Sequence, residues 1–194
     1  KIKLSPEGSN FEIAGKDFRV QVMSHLVGEY NIENCLAAMA AAVSGLGIAP
    51  GIAASGLAAL KGIPGRMERI DLGQTFTAIV DFAHTPNALR VAIETLKKMT
   101  EKKIIIIFGS AGLRDREKRS LMAEIATELA DISILTAEDP RTESLDGILE
   151  EMARGARAKG GEEGKSFWRI PDRREAIRLG IRLARNGDIV MACG

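Results

Sequence analysis

No run of these 194 residues is apolar for long enough to span a bilayer, and Lys1 to Gly15 is too polar for a signal peptide. No membrane partner is expected. Cysteine is scarce: Cys35 lies in an Ala-rich helical pattern and Cys193 in a terminal apolar strand. They form neither a CxxC pair nor a metal cluster, so both read as small buried thiols, with a reducing cytosol as the default compartment. Aromatics make up only 4% and the formal net charge is +1, which leaves neither a base-stacking surface nor a basic field. Nucleic acid is not an expected partner. No GxGxxG turn is present, so a dinucleotide site is unsupported. The segment from Gly160 to Ser166 imitates a phosphate-binding P-loop. It is one residue short, follows a helix instead of a strand, and carries Glu162 and Glu163, which would repel phosphate.

What remains is an ordinary globular balance, 45% hydrophobic and 27% charged, sufficient to bury a core. The length admits one large domain, or a small domain with a piece of another. A chain that starts in mid-pattern and stops just after a strand is expected to be a cut-out of something larger. Residues 11–13 and 17–24 alternate around a Gly-Lys-Asp turn, a hairpin signal. Asn31 to Leu46 reads as a helix closed by Gly45 and Gly47, and Pro50 to Leu60 as a second helix. Ile63-Pro64-Gly65-Arg66 breaks the pattern and sets the expected domains at 1–65 and 66–194.

Beyond it, strands are predicted near 67–72, 76–81, 103–108, 132–136, 166–170 and 188–193, with helices near 86–99, 117–130, 145–159 and 172–185. Ile104 to Phe108 is continuously apolar, as a central parallel strand requires. The expected fold is α/β: a Rossmann-like, three-layer, mostly parallel six-stranded sheet, with an antiparallel first strand as an option. The glycine-rich stretch at 160–164 reads as a mobile surface loop.

In such sheets ligands collect beyond the carboxyl ends of the strands. The unusual polar residues fall there: Asp81-Phe82-Ala83-His84-Thr85-Pro86, then Gly109 to Arg116, then Glu138-Asp139-Pro140-Arg141, and finally Gly194. Gly109 and Gly112 permit a tight turn and close approach of a ligand, although a plain βα turn uses the same residues. Arg114 and Arg116 are badly placed for a helix dipole, which suits an arginine that meets a carboxylate or phosphate. Arg114 and Arg141 on neighbouring loops can grip one anionic ligand, or instead form surface ion pairs with Asp115 or Glu143. Asp81 can accept from ribose hydroxyls, and His84 is a ligand contact or a structural histidine. His25 has no supporting partner and reads as structural.

Five segments resemble the Mur ligases. Gly28-Glu29-Tyr30-Asn31-Ile32-Glu33-Asn34 resembles G-x-[FH]-N-x-x-N, and Pro64-Gly65-Arg66-Met67-Glu68 resembles P-G-R-x-E. Asp81 to Pro86 resembles D-Y-A-H-T-P, whose His-Thr-Pro form is typical of the tripeptide-forming branch. Arg114-Asp115-Arg116-Glu117-Lys118-Arg119 with Met122 resembles R-D-x-x-K-R-x-x-M, and Glu138 to Glu143 resembles D-N-P-R-T-E. The resemblance implies a cytoplasmic, ATP-dependent and Mg2+-dependent amide ligase of three domains, expected to be monomeric. Its partners are UDP-N-acetylmuramoyl-dipeptide and a diamino acid. Residues 1–65 then end the central ATPase domain, and 66–194 form the C-terminal domain. Asn31, Asn34, Arg66, Asp81 and His84 are implied ATP contacts. Arg114, Asp139, Arg141 and Gly194 are implied contacts to the amino acid. No catalytic residue and no metal ligand is expected in this piece; the P-loop lysine and the magnesium ligands are expected upstream of Lys1.

Three departures bear on the substrate. G-C-G-G-D-R-D appears as Gly109-Ser110-Ala111-Gly112-Leu113-Arg114-Asp115, the Asn of D-N-P-R is Asp139, and the chain stops where the family continues into K-G-H-E. Arg141 favours meso-2,6-diaminopimelate, while Asp139 leaves lysine or ornithine open. The alternatives are a related amide ligase such as folylpolyglutamate synthase, for which His84-Thr85-Pro86 is the wrong variant, and a non-catalytic Rossmann-like binding module.

Overall fold

The computed structural model describes residues 2–5 and 8–194, and the chain divides into two compact units, Lys1–Met67 and Glu68–Gly194. The first begins with an antiparallel meander of β1 (Lys3–Ser5), β2 (Gly8–Ala14) and β3 (Arg19–Ser24). The predicted hairpin is β2–β3, with Phe11 opposite Val22 and Ile13 opposite Val20; β1 was not anticipated. Alternation puts Phe11, Ile13 and Val22 on one face, where they meet Ile32, Cys35 and Met39 of α1 (Glu29–Ala40) and Ala54 of α2 (Pro50–Ala59). The first helix was expected to run to Leu46. Instead it widens into a π-helical stretch over Ala41–Gly45 that buries no residue, and Gly47 ends it at φ 68°.

The second unit is a six-stranded sheet in the order β4 (Glu68–Ile70), β5 (Thr77–Asp81), β9 (Ile189–Cys193), β6 (Ile104–Phe108), β7 (Ile132–Leu135) and β8 (Phe167–Arg169). Only β4 is antiparallel. Every residue of β6 is buried, because helices cover both faces. On one side α3 (Pro86–Lys97), α4 (Glu117–Leu129) and α5 (Leu145–Ala158) pack side by side. On the other, α6 (Arg173–Leu183) lies over Ile105, Ile107, Ile134 and Val190. Three helices start on side-chain caps: Thr85 accepts from the Ala88 N–H, Ser144 from Gly147 and Asp172 from Glu175. The 160–164 stretch is a mostly exposed loop, in which the Glu162 N–H donates to Ser166 Oγ and the Gly164 N–H to the Phe167 carbonyl.

Close helix packing depends on Gly155, where an added Cβ would lie 2.3 Å from the Ser120 carbonyl oxygen of α4. Gly147, in the same helix, would meet nothing nearer than 3.6 Å. Gly155→Ala should therefore cost about 1–3 kcal/mol by forcing α4 and α5 apart. Gly147→Ala should be neutral or stabilising by up to about 1 kcal/mol. Urea unfolding of the two variants checks the contrast.

Candidate functional site

Register levels one edge of the sheet. Asp81 pairs with Cys193, Cys193 with Phe108, Phe108 with Leu135, and Leu135 with Arg169. The loops that follow these strands therefore leave on the same rim. Asp81, His84, Arg114, Asp139, Arg141 and Gly194 all belong to that rim. Asn31, Asn34 and Arg66 belong to the first unit.

Within that unit, Asn31 is buried and its side-chain N–H donates to the Val27 carbonyl at 2.7 Å. Its oxygen accepts from Asn34 at 3.0 Å, so the pair orders the start of α1. The Arg66 N–H donates to the Ile63 carbonyl across a turn containing Gly65 at φ 69°.

On the rim, Asp81 accepts from the Ala83 N–H at 2.8 Å, which curls the chain after β5. His84 Nδ1 lies 3.0 Å from the Phe82 carbonyl. A carbonyl only accepts, so Nδ1 carries the proton and Nε2 is left as the acceptor. The ring packs edge-on against exposed Phe82, 4.8 Å between centroids, and the His84 carbonyl takes a bond from Lys118 on α4. Burial, with the Asp81 charge adding to it, pushes the Cys193 thiol up to about 12, so it stays protonated.

The loops after β6 and β7 are pressed together. A Cβ on Gly109 would lie 2.6 Å from the Glu138 nitrogen, and one on Gly112 would lie 2.0 Å from the Pro140 carbonyl oxygen. Only glycine fits at either place. The Gly112 N–H donates to the Asp139 carbonyl at 2.8 Å. Two non-glycine residues here have left-handed backbones, Leu113 at φ 53° and Arg141 at φ 50°. Such strain collects at ligand-binding positions.

Neither Arg114 nor Arg141 forms the surface ion pair with Asp115 or Glu143 that the sequence also allowed. Arg116 pairs with Glu151 of α5. Arg141 Nε lies 3.7 Å from Asp139, whose other oxygen accepts the Arg141 N–H. Glu143 is taken by Arg119, and Asp115 caps α4 through the Glu117 N–H. Arg114 is exposed, and no described residue takes up its guanidinium. Sequence reasoning missed Arg173, which donates to the carbonyls of Ala137, Cys193 and Gly194 and so binds the end of β9 to the loop after β7. The signal was available: Arg173 is the first residue of α6, where a cation opposes the helix dipole. Among the described residues no group of three or more His, Cys, Asp or Glu is placed to hold a metal ion.

A sequence model of the family described as Mur ligase, glutamate ligase domain, matches residues 65–194. The chain belongs to the Mur ligase family. Over all 194 residues it is 40% identical to a Syntrophomonas wolfei protein named UDP-N-acetylmuramoyl-L-alanyl-D-glutamate–2,6-diaminopimelate ligase, and covers 39% of that relative. A solved Mur ligase named for the same reaction superimposes with a TM-score of 0.65 at 35% identity, covering 100% of this chain and 39% of that one. Folylpolyglutamate synthase of Mycobacterium tuberculosis shares the fold, with a TM-score of 0.79 at 16% identity over 100% of this chain and 44% of its own. The chain thus spans about two fifths of the length of the curated Mur ligases it matches.

The Arg119 hydrogen bond, joined by the Leu113 N–H, holds the Glu143 carboxyl below the ordinary value of 4.5, and Arg116 holds Glu151 below it. A carboxyl lowered in the folded state stabilises above its unfolded value, and that contribution is lost as pH falls through the folded value. The urea midpoint should therefore drop as pH falls below 4.5. Glu143→Gln should flatten part of that drop; parallel acid limbs for variant and parent would remove Glu143 from the account.

Proposed function

We propose that this chain is the C-terminal part of a cytoplasmic, monomeric, ATP-dependent ligase. On this reading the enzyme joins meso-2,6-diaminopimelate to UDP-N-acetylmuramoyl-L-Ala-D-Glu in peptidoglycan synthesis. The second unit receives the amino acid and part of the nucleotide. The observation that carries the reading is the pair Arg114 and Arg141, from loops after adjacent parallel strands that glycine contacts press together. Planar guanidiniums on two such loops suit a carboxylate. Ser110 Oγ, Thr136 Oγ1 and Glu138 Oε2 on the same loops are buried without a partner among the described residues, and buried polar groups ordinarily have one.

Asp81 and the free Nε2 of His84 suit a ribose hydroxyl and a purine or phosphate neighbour, and Arg66 suits phosphate. Asn31 and Asn34 are assigned to the nucleotide side, where they act by shaping the start of α1. Arg114, Asp139, Arg141 and Gly194 form the amino-acid pocket, Gly194 by allowing the chain to turn at φ 87° against Gly109. We assign the P-loop and the residues that hold Mg2+ to the part of the enzyme upstream of Lys1. The ion would supply charge neutralisation of the ATP phosphates there.

In the full-length enzyme, Arg141→Ala should raise the KM for the diamino acid roughly 10- to 100-fold, the worth of a charge-assisted bond, and leave the KM for ATP within about twofold. Equal effects on both constants would remove Arg141 from the pocket. Feeding diaminopimelate, lysine and ornithine in parallel tests the substrate, with diaminopimelate expected to be preferred. Purified 1–194 should show no ATP-dependent ligation; turnover by this piece would refute the assignment of catalysis to upstream residues.

A further inference from the structure

Arg119 is fully buried in α4, yet it is charged. Its Nη1 lies 2.9 Å from Glu143 and 2.8 Å from Glu151, and its Nη2 donates to the Ala111 carbonyl at 3.3 Å. These partners come from three places: the loop after β7, helix α5, and the loop after β6. Glu143 then uses its second oxygen to accept the Leu113 N–H at 2.5 Å. The path Ala111–Arg119–Glu143–Leu113 closes through the backbone of residues 111–113 and ties the two loops together.

The ends of this ring fall beside the proposed pocket. Leu113 directly precedes Arg114, and Glu143 lies two residues after Arg141. Leu113 and Arg141 are also the two left-handed non-glycine residues of the second unit. A residue other than glycine holds such a backbone only where its surroundings over-determine it. Here the Leu113 N–H is fixed by Glu143, and Glu143 is fixed by Arg119.

We propose that Arg119 is a positioning residue for the amino-acid pocket, holding the strained loops that carry Arg114 and Arg141 at the separation one ligand requires. The inference rests on the assignment of those two arginines to the amino acid. Lysine does not reproduce this arrangement, because its three donors radiate from one nitrogen, whereas the guanidinium sets Nη1 and Nη2 apart in a fixed plane to meet the carboxylates and the carbonyl separately. A purely structural ion pair would not single out one substrate: breaking it leaves an uncompensated buried charge, which weakens folding and so affects both KM values alike.

The test uses Arg119→Lys and, as a gentler variant, Glu143→Gln in the full-length enzyme. Each should raise the KM for the diamino acid at least tenfold, with the KM for ATP and kcat changed less than threefold. Amide exchange at Leu113, measured on 1–194, should accelerate at least tenfold in both variants, while exchange at Ile106 in the buried strand stays unchanged. Unaltered exchange at Leu113 would overturn the ring itself. Faster exchange with no selective rise in the amino-acid KM, or with both KM values rising together, would overturn the positioning role. Failure of the pocket assignment is separately visible, because Arg114→Ala and Arg141→Ala would then leave the amino-acid KM unmoved.

Discussion

The insertion of β9 between β5 and β6 is the constraint on which the second unit depends. The last strand in sequence becomes a central strand in space, pairing with Asp81 on one side and Phe108 on the other through Cys193. Both of its ends are tied. At the start, buried Asp188 accepts from the Lys103 and Arg185 N–H groups. At the finish, Arg173 holds the carbonyls of Cys193 and Gly194. Without β9, the β4–β5 hairpin would have no partner in the sheet, and the loop carrying His84 would not share a rim with the arginines.

Apart from β1, the strands and helices were legible in the sequence, because they are announced locally. Ile104 to Phe108 is apolar at every position, as a strand covered on both faces requires. In the second unit, the antiparallel first strand was allowed for but not fixed. The strand order was not legible, since nothing near residue 189 states that it will pair with residue 104. The π-helical stretch at Ala41–Gly45 escaped for a different reason: its sequence is as helical as the turns before it, and the widening shows only in the backbone.

The candidate site divides along the same line. That polar residues would gather at the carboxyl ends of the strands follows from the alternation of strands and helices. Which charge meets which was beyond the sequence. Asp115 and Glu143 looked equally able to take Arg114 or Arg141, and the structure gives Glu143 to Arg119 and makes Asp115 a cap. Arg119 carried no signal of burial, because its position in α4 is a matter of helix phase against two neighbouring elements. Residue type revealed what chemistry was present, and only packing revealed which groups were already committed.

That distinction bears on the proposed substrate. Arg116 and Arg119 are neutralised by Glu143 and Glu151, and Arg173 is occupied by carbonyls. Arg114 remains, and Arg141 is loosely held by Asp139 at 3.7 Å. A ligand offering only an ammonium would have to draw Asp139 from Arg141 while facing Arg114, a cation against cations. A ligand end carrying both carboxylate and ammonium meets no such conflict. Its carboxylate satisfies the two guanidiniums, and Asp139, released from Arg141, faces the ammonium. On the proposed reading, the acidic residue that departs from the family pattern is compatible with diaminopimelate, whose distal end is zwitterionic, and less so with lysine or ornithine, whose distal ends carry only positive charge.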